Sequence, residues 1–234
     1  MFFSPHKQQH FEHFSLEHIM MIGVLLAGVA VIILLCPFFA RHERGTIYIM
    51  LWSLVVLEGG YQFWLLWNGE WKWKTSLPLE LSSINMYMCM LMLYTKRYGL
   101  FEILYFIGIG GELQAILTPA LSYSFPHFRF FHFFIGHSLV IWAIIFFLFV
   151  KQYKPTFYSF WKAVLFLHLA AGIAFFVNRI TGGNYMFLAH KPKTKSLLDI
   201  LGPYPWYILS LEGVALVGFF LLWLPFRRRN GVKT

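Results

Sequence analysis

Seven apolar runs, at roughly residues 18–39, 46–67, 78–94, 100–118, 128–150, 157–177 and 206–225, leave this 234-residue chain little else to fold with. Crossing a hydrocarbon layer of about 30 Å takes about 20 helical residues, and every backbone N–H and C=O inside it must be satisfied within the protein. The expected fold is therefore all-α: a polytopic membrane protein of seven transmembrane helices forming a single integral membrane domain, residues 1–234. Within it, 1–17 is an extracytoplasmic N-terminal segment, 178–205 an extracytoplasmic loop with a short amphipathic helix, and 226–234 a basic tail. Hydrophobic residues are 59% of the chain and charged ones 12%, which excludes an ordinary soluble domain.

A formal charge of +9 could suggest nucleic acid, but the cations sit in short loops and not on one polar face, so no nucleic-acid partner is expected. Topology explains them better. Arg41, Arg44, Lys96, Arg97, Lys151, Lys154, Arg227, Arg228, Arg229 and Lys233 are packed into short stretches on one side. Lys7, Lys72, Lys74, Arg129, Arg179, Lys191, Lys193 and Lys195 are spread over far more residues on the other. The positive-inside rule puts the N-terminus outside and the C-terminus in the cytoplasm. The first run is too long for the apolar core of a cleaved signal peptide, so it is expected to stay in the mature protein. Cys36 and Cys89 both fall inside spans and make no disulfide framework.

Ionisable groups inside the runs carry the functional signal, because a carboxylate at mid-span costs about 2.5–3.5 kcal/mol on insertion scales and normally faces a protein or water cavity. Glu58 and Gln62 share a helical face beside Tyr61. Ser82, Asn85 and Cys89 follow one side of the third run, Glu112 sits in the glycine-rich fourth, His168 in the sixth and Glu212 in the seventh. His132 and His137 in the fifth are five residues apart, a spacing that does not stack them on one face. At 1.5 Å per residue, Ser82 and Glu212 lie about 6–9 Å below the outer boundary, and Glu58, Glu112, His137 and His168 about 9–15 Å. Six polar groups from six helices thus share one layer, which implies a chamber opening outward, while the inner half of every span reads as dry.

The loop NRITGGNYMFLAHKPKTKSLLDILGPYPWY, Asn178 to Tyr207, is the longest stretch that a bilayer would reject, and it is expected to roof the chamber with Asn178, Asn184, Tyr185 and His190. Ser196 reads as the cap of a short helix, Leu197 to Leu201, that Gly202 stops. At the N-terminus, His6, His10, His13 and Glu17 fall on one helical face. A solvated titratable face is favoured there over a metal site, and neither metal nor cofactor is expected.

The stretches FEHFSLEH, LPLELSS, GIGGELQAILTP, FRFFHFFIGH, NRITGGNYMFLAHKP and LLDILGPYPWY resemble the YwaF-like family of bacterial integral membrane proteins, a likeness covering nearly the whole chain. That family is distantly similar to the eukaryotic transmembrane protein 164 family, which is implicated in acyl transfer between phospholipids through a cysteine near the start of a membrane helix and a histidine. The resemblance implies a multi-pass protein of the bacterial cell membrane with membrane lipids as partners, and it places His137 at the family's histidine. Glu80 and Ser82 stand here where the family has histidine and cysteine.

Three functions fit these residues. One is a lipid-acting acyltransferase or lipase with His137 as general base, Ser82 as nucleophile and Glu58 or Glu112 as orienter. Tyr61, Gln62, Asn85, His168, Asn178, Asn184, Tyr185, His190 and Glu212 would then bind substrate. The alternatives are a small-molecule or proton-coupled transporter and a seven-helix ligand-binding protein.

Overall fold

A computed structural model describes residues 2–5, 11–192 and 197–230. The residues His6, Lys7, His10, Lys193, Lys195, Ser196 and Lys233, which figure in the sequence argument, lie outside these. The described chain is all-helical, with eight α-helices: α1 (Leu16–Leu34), α2 (Cys36–Arg41), α3 (Glu43–Trp67), α4 (Leu81–Thr95), α5 (Tyr98–Leu117), α6 (Phe128–Phe149), α7 (Phe157–Thr181) and α8 (Trp206–Trp223). Six of them, α1, α3, α5, α6, α7 and α8, are long and apolar enough to cross a membrane.

The caps follow local chemistry. Ser15 Oγ accepts the His18 N–H to start α1. Thr156 and Ser159 form a reciprocal capping box on α7, and Gly182 ends that helix at φ +68°, where a side chain would be strained. The first apolar run does not continue as one helix. Pro37 opens the separate helix α2, because a proline ring is accepted in a first turn and resisted in an interior. The third run is also shorter than its apolar length implies: α4 begins at Leu81, leaving Pro78 to Glu80 in the preceding loop. Its 15 residues rise only about 22 Å. The expected helix after Ser196 is a single 3-10 turn, Leu197–Ile200.

α5 and α6 form the centre. α5 packs on α4, α6, α7 and α8, while α6 packs on α1, α3, α4 and α5. At Gly108 the two helices come close, and a Cβ there would lie 2.6 Å from Ile144 Cδ1, so that side chain would have to shift. His18, on the first turn of α1, is fully buried: its Nδ1 accepts the Phe14 N–H and its Nε2 donates to the Ile116 carbonyl at 2.7 Å. It is a structural pin between α1 and α5.

The end of the bundle opposite the long loop is not dry. Glu102, 4% exposed on α5, accepts from Ser159 Oγ at 2.7 Å and pairs with Lys162, both on α7. Cys36 and Cys89 are free thiols, Cys36 donating to the Phe149 carbonyl and Cys89 enclosed in the apolar core.

Candidate intramembrane site

Residues from α3 to α8 enclose a cavity of about 660 Å³ with a polar and an apolar wall. Glu58, Tyr61 and Gln62 of α3, Ser82 and Ser83 of α4, and Arg129, His132 and His137 of α6 line the polar wall. Leu211, Val214, Ala215, Gly218 and Phe219 of α8, with Leu167 and Ala171 of α7, line the apolar one. His168 and Glu212 lie at the edge of that second wall, where His168 Nε2 meets Glu212 Oε1 at 3.0 Å. Five of the six polar groups counted into one layer from the sequence therefore face a common space.

The sixth, Glu112, is fully buried behind His137. Its Oε2 accepts from His137 Nδ1, and its Oε1 accepts from Asn85 Nδ2 at 2.7 Å. With the carboxylate as acceptor, Nδ1 carries the imidazole proton and Nε2 is left as the ring's lone-pair nitrogen. Asn85, expected against substrate, instead fixes Glu112 and reaches the Ile107 carbonyl at 3.3 Å. The chain of contacts Asn85, Glu112, His137 ties α4 to α5 to α6 at one level.

A second acid–imidazole pair stands beside it. His132 Nε2 lies 3.6 Å from Glu58 Oε2, while Glu58 Oε1 accepts from Gln62 Nε2 at 3.0 Å and from Tyr87 OH at 3.2 Å. Arg129 donates to His132 Nδ1 at 2.9 Å, and its guanidinium sits 4.0 Å from the Tyr61 ring centroid. A guanidinium only donates, so Nδ1 of His132 is the acceptor and its proton is on Nε2, facing Glu58. Helical spacing separates His132 from His137, yet both line the cavity. Arg129 belongs to this wall although the sequence marks it only as a loop cation, and His132 although the sequence assigns it no role.

The roof is built differently from expectation. Met186, Phe187, Leu188 and Leu198 line the cavity, whereas Asn178, Asn184, Tyr185 and His190 do not. Loop backbone has polar groups to satisfy, and these side chains satisfy them. Asn178 donates to the Tyr185 carbonyl at 3.0 Å and accepts the Tyr185 N–H at 2.7 Å. Tyr185 OH donates to the Trp73 carbonyl and accepts the Leu77 N–H. Asn184 Oδ1 accepts the N–H groups of Ala189 and His190.

Glu80, at the entrance of α4 and outside the helix, lines the cavity and accepts the Met186 N–H at 2.9 Å. Burial pushes its carboxyl up to about 7 from an ordinary value of 4.5, and the Met186 bond opposes that rise. A folded-state value above the unfolded one means that the folded protein holds the proton more tightly. Stability present below about 4.5 is therefore lost as pH rises through about 7. Thermal unfolding in detergent is expected to show Tm falling across that window, and Glu80→Gln to flatten the slope. An unchanged slope in the variant would assign it to another group.

Six helices long and apolar enough to cross a membrane, with three acid–imidazole pairs at one cavity among them, are the features of a multi-pass membrane protein with a candidate site between its helices. The chain belongs to the TMEM164 family, whose sequence profile matches residues 13–223. An uncharacterized protein of Treponema pallidum (strain Nichols) is 28% identical over 155 residues, 66% of this chain and 64% of that protein. The match thus spans less than two thirds of the relative's own length. No solved structure matches the chain.

Proposed function

We propose that the protein is a membrane-embedded enzyme that moves acyl chains of phospholipids, and that within its family it is a YwaF-like protein of the bacterial cell membrane. One observation carries this reading: a Glu112-bonded imidazole, His137, faces a cavity whose two walls match the two ends of a lipid. With an acyl ester placed between the walls, the Ser82 hydroxyl on the first turn of α4 bonds to the acyl carbon as its proton passes to His137 Nε2; the ester C–O bond breaks, the departing lysophospholipid oxygen takes that proton, and an acceptor alcohol or water then removes the acyl group from Ser82 by the same route. Glu112 orients the base, and the Glu58–His132 pair with Tyr61, Gln62, Arg129, His168 and Glu212 binds the polar end.

In this reading α4 completes seven spans, the N-terminus and the roof face outward, and substrate comes from the outer leaflet. A proton-coupled carrier would use Glu102 and Lys162 as an inner station. Leu104, Tyr105 and Phe106 follow Glu102 on α5, all three buried in the apolar core before Ile107 reaches the cavity. That apolar plug favours a dead-end chamber, and hence the enzyme.

The test is the purified protein in bilayers containing a phospholipid with a labelled acyl chain and an unlabelled lysophospholipid. Label is expected on the acceptor, or as free fatty acid if water replaces it, and Ser82→Ala is expected to abolish both. Wild-type protein inert across lipid classes would overturn the assignment.

A further inference from the structure

At the opposite end of α3 from the cavity, the turn between α2 and α3 forms a hollow of about 550 Å³. Its walls are Arg41, His42, Glu43, Arg44, Gly45 and Lys96. Charge is unbalanced there. Glu43 Oε1 is engaged by Lys151 Nζ at 2.9 Å, and Lys96 Nζ lies 3.9 Å from the same oxygen. Among the described residues, no carboxylate comes within ion-pair distance of Arg41 or Arg44. His42 is turned away onto Phe38, with ring centroids 4.4 Å apart and Nδ1 on the Phe38 carbonyl. It supplies no side-chain cap to α3, so the N–H groups of that helix's first turn have no such partner.

Two guanidinium groups and an ammonium around a hollow match a phosphate group, which takes charge-assisted hydrogen bonds from all of them. The surroundings say where the phosphate comes from. Within about two turns along α3 from the hollow, Tyr48, Ile49 and Trp52 are exposed on a helix long and apolar enough to span a membrane. A lipid whose headgroup fills the hollow lays its chains on those side chains, whereas a soluble anion gains nothing from them.

We propose that this hollow is a binding site for a membrane lipid with a net-anionic phosphate headgroup, separate from the cavity and independent of what the cavity does. Arg41, Arg44 and Lys96 hold the phosphate, and Tyr48, Ile49 and Trp52 carry the chains.

The full-length protein in detergent would be titrated with dihexanoyl phosphatidylglycerol, dihexanoyl phosphatidylcholine and inorganic phosphate, with binding followed by native mass spectrometry. Phosphatidylglycerol is expected to bind in preference to both others, and Arg41→Gln/Arg44→Gln to weaken it by at least about tenfold. The double variant Lys72→Gln/Arg179→Gln, which removes the same charge from exposed positions at the other end, is expected to leave binding unchanged. Phosphatidylcholine binding that falls as far as phosphatidylglycerol binding in Arg41→Gln/Arg44→Gln would overturn the proposal, as would equal loss in the two double variants. Inorganic phosphate binding as tightly as the lipid would overturn it too, by making the site one for a soluble anion.

Discussion

Glu112→Gln is expected to lower acyl turnover by about 10³- to 10⁴-fold while the protein stays folded, the scale seen when the acidic partner of a catalytic histidine becomes an amide. The reason is the direction of the hydrogen bonds. Asn85 Nδ2 donates to Oε1 of residue 112, so a glutamine keeps its oxygen on that side and turns its NH₂ toward His137 Nδ1. Nδ1 must then accept, the proton moves to Nε2, and the nitrogen facing the cavity loses its lone pair. His137→Ala is expected to reach the same floor and Glu112→Asp to retain part of the rate. The measurement is kcat on labelled phospholipid alongside Tm for each variant. A Glu112→Gln enzyme within about tenfold of wild type would remove His137 from the chemistry.

Lys162→Met is expected to be the most destabilising single change at the other end of the bundle, by about 3–5 kcal/mol, the cost of breaking a buried ion pair from one side. Glu102 is 4% exposed and keeps only Ser159 Oγ once the ammonium is gone. The reverse change, Glu102→Gln, is expected to cost less. Lys162 retains 34% side-chain exposure, so its long stem can carry the charge outward, and the amide still accepts from Ser159. The double change Glu102→Leu/Lys162→Met is expected to cost less than Lys162→Met alone, since no charge remains to be left unpaired. Urea or thermal unfolding in a fixed detergent reads all three. Equal losses for Lys162→Met and Glu102→Gln would show that the asymmetry in burial does not set the energetics.

What the sequence made legible is what a bilayer dictates. The apolar runs became helices, and Glu58, Ser82, His137, His168 and Glu212 came to one space, because isolated ionisable groups in hydrocarbon have few other solutions. Pro37 was passed over inside the 18–39 run, although a proline there opens the separate helix α2. What stayed hidden was rotation about the helix axes. A helix apolar on all sides does not say which face meets which neighbour, so the turning of His132 toward Glu58 and of Asn85 away from the cavity could not be read. Glu102 lies five residues into α5, close enough to a boundary to pass for an interfacial charge until Ser159 and Lys162 are seen around it. The loop asparagines misled for another reason. A polar side chain in a loop serves ligand or backbone equally well on paper, and here the backbone claimed Asn178 and Asn184.

Tyr185 grips both sides of the roof at once, its own backbone fastened to α7 through Asn178 and its hydroxyl to the 68–80 segment through Trp73 and Leu77. The Glu80 carboxylate adds a second tie between the same two loops through the Met186 N–H, so the roof is held across its seam at two points. A tyrosine that does not itself line the cavity thus fixes the backbone of Met186, Phe187 and Leu188, which do, so the shape of the roof rests on bonds made outside the site.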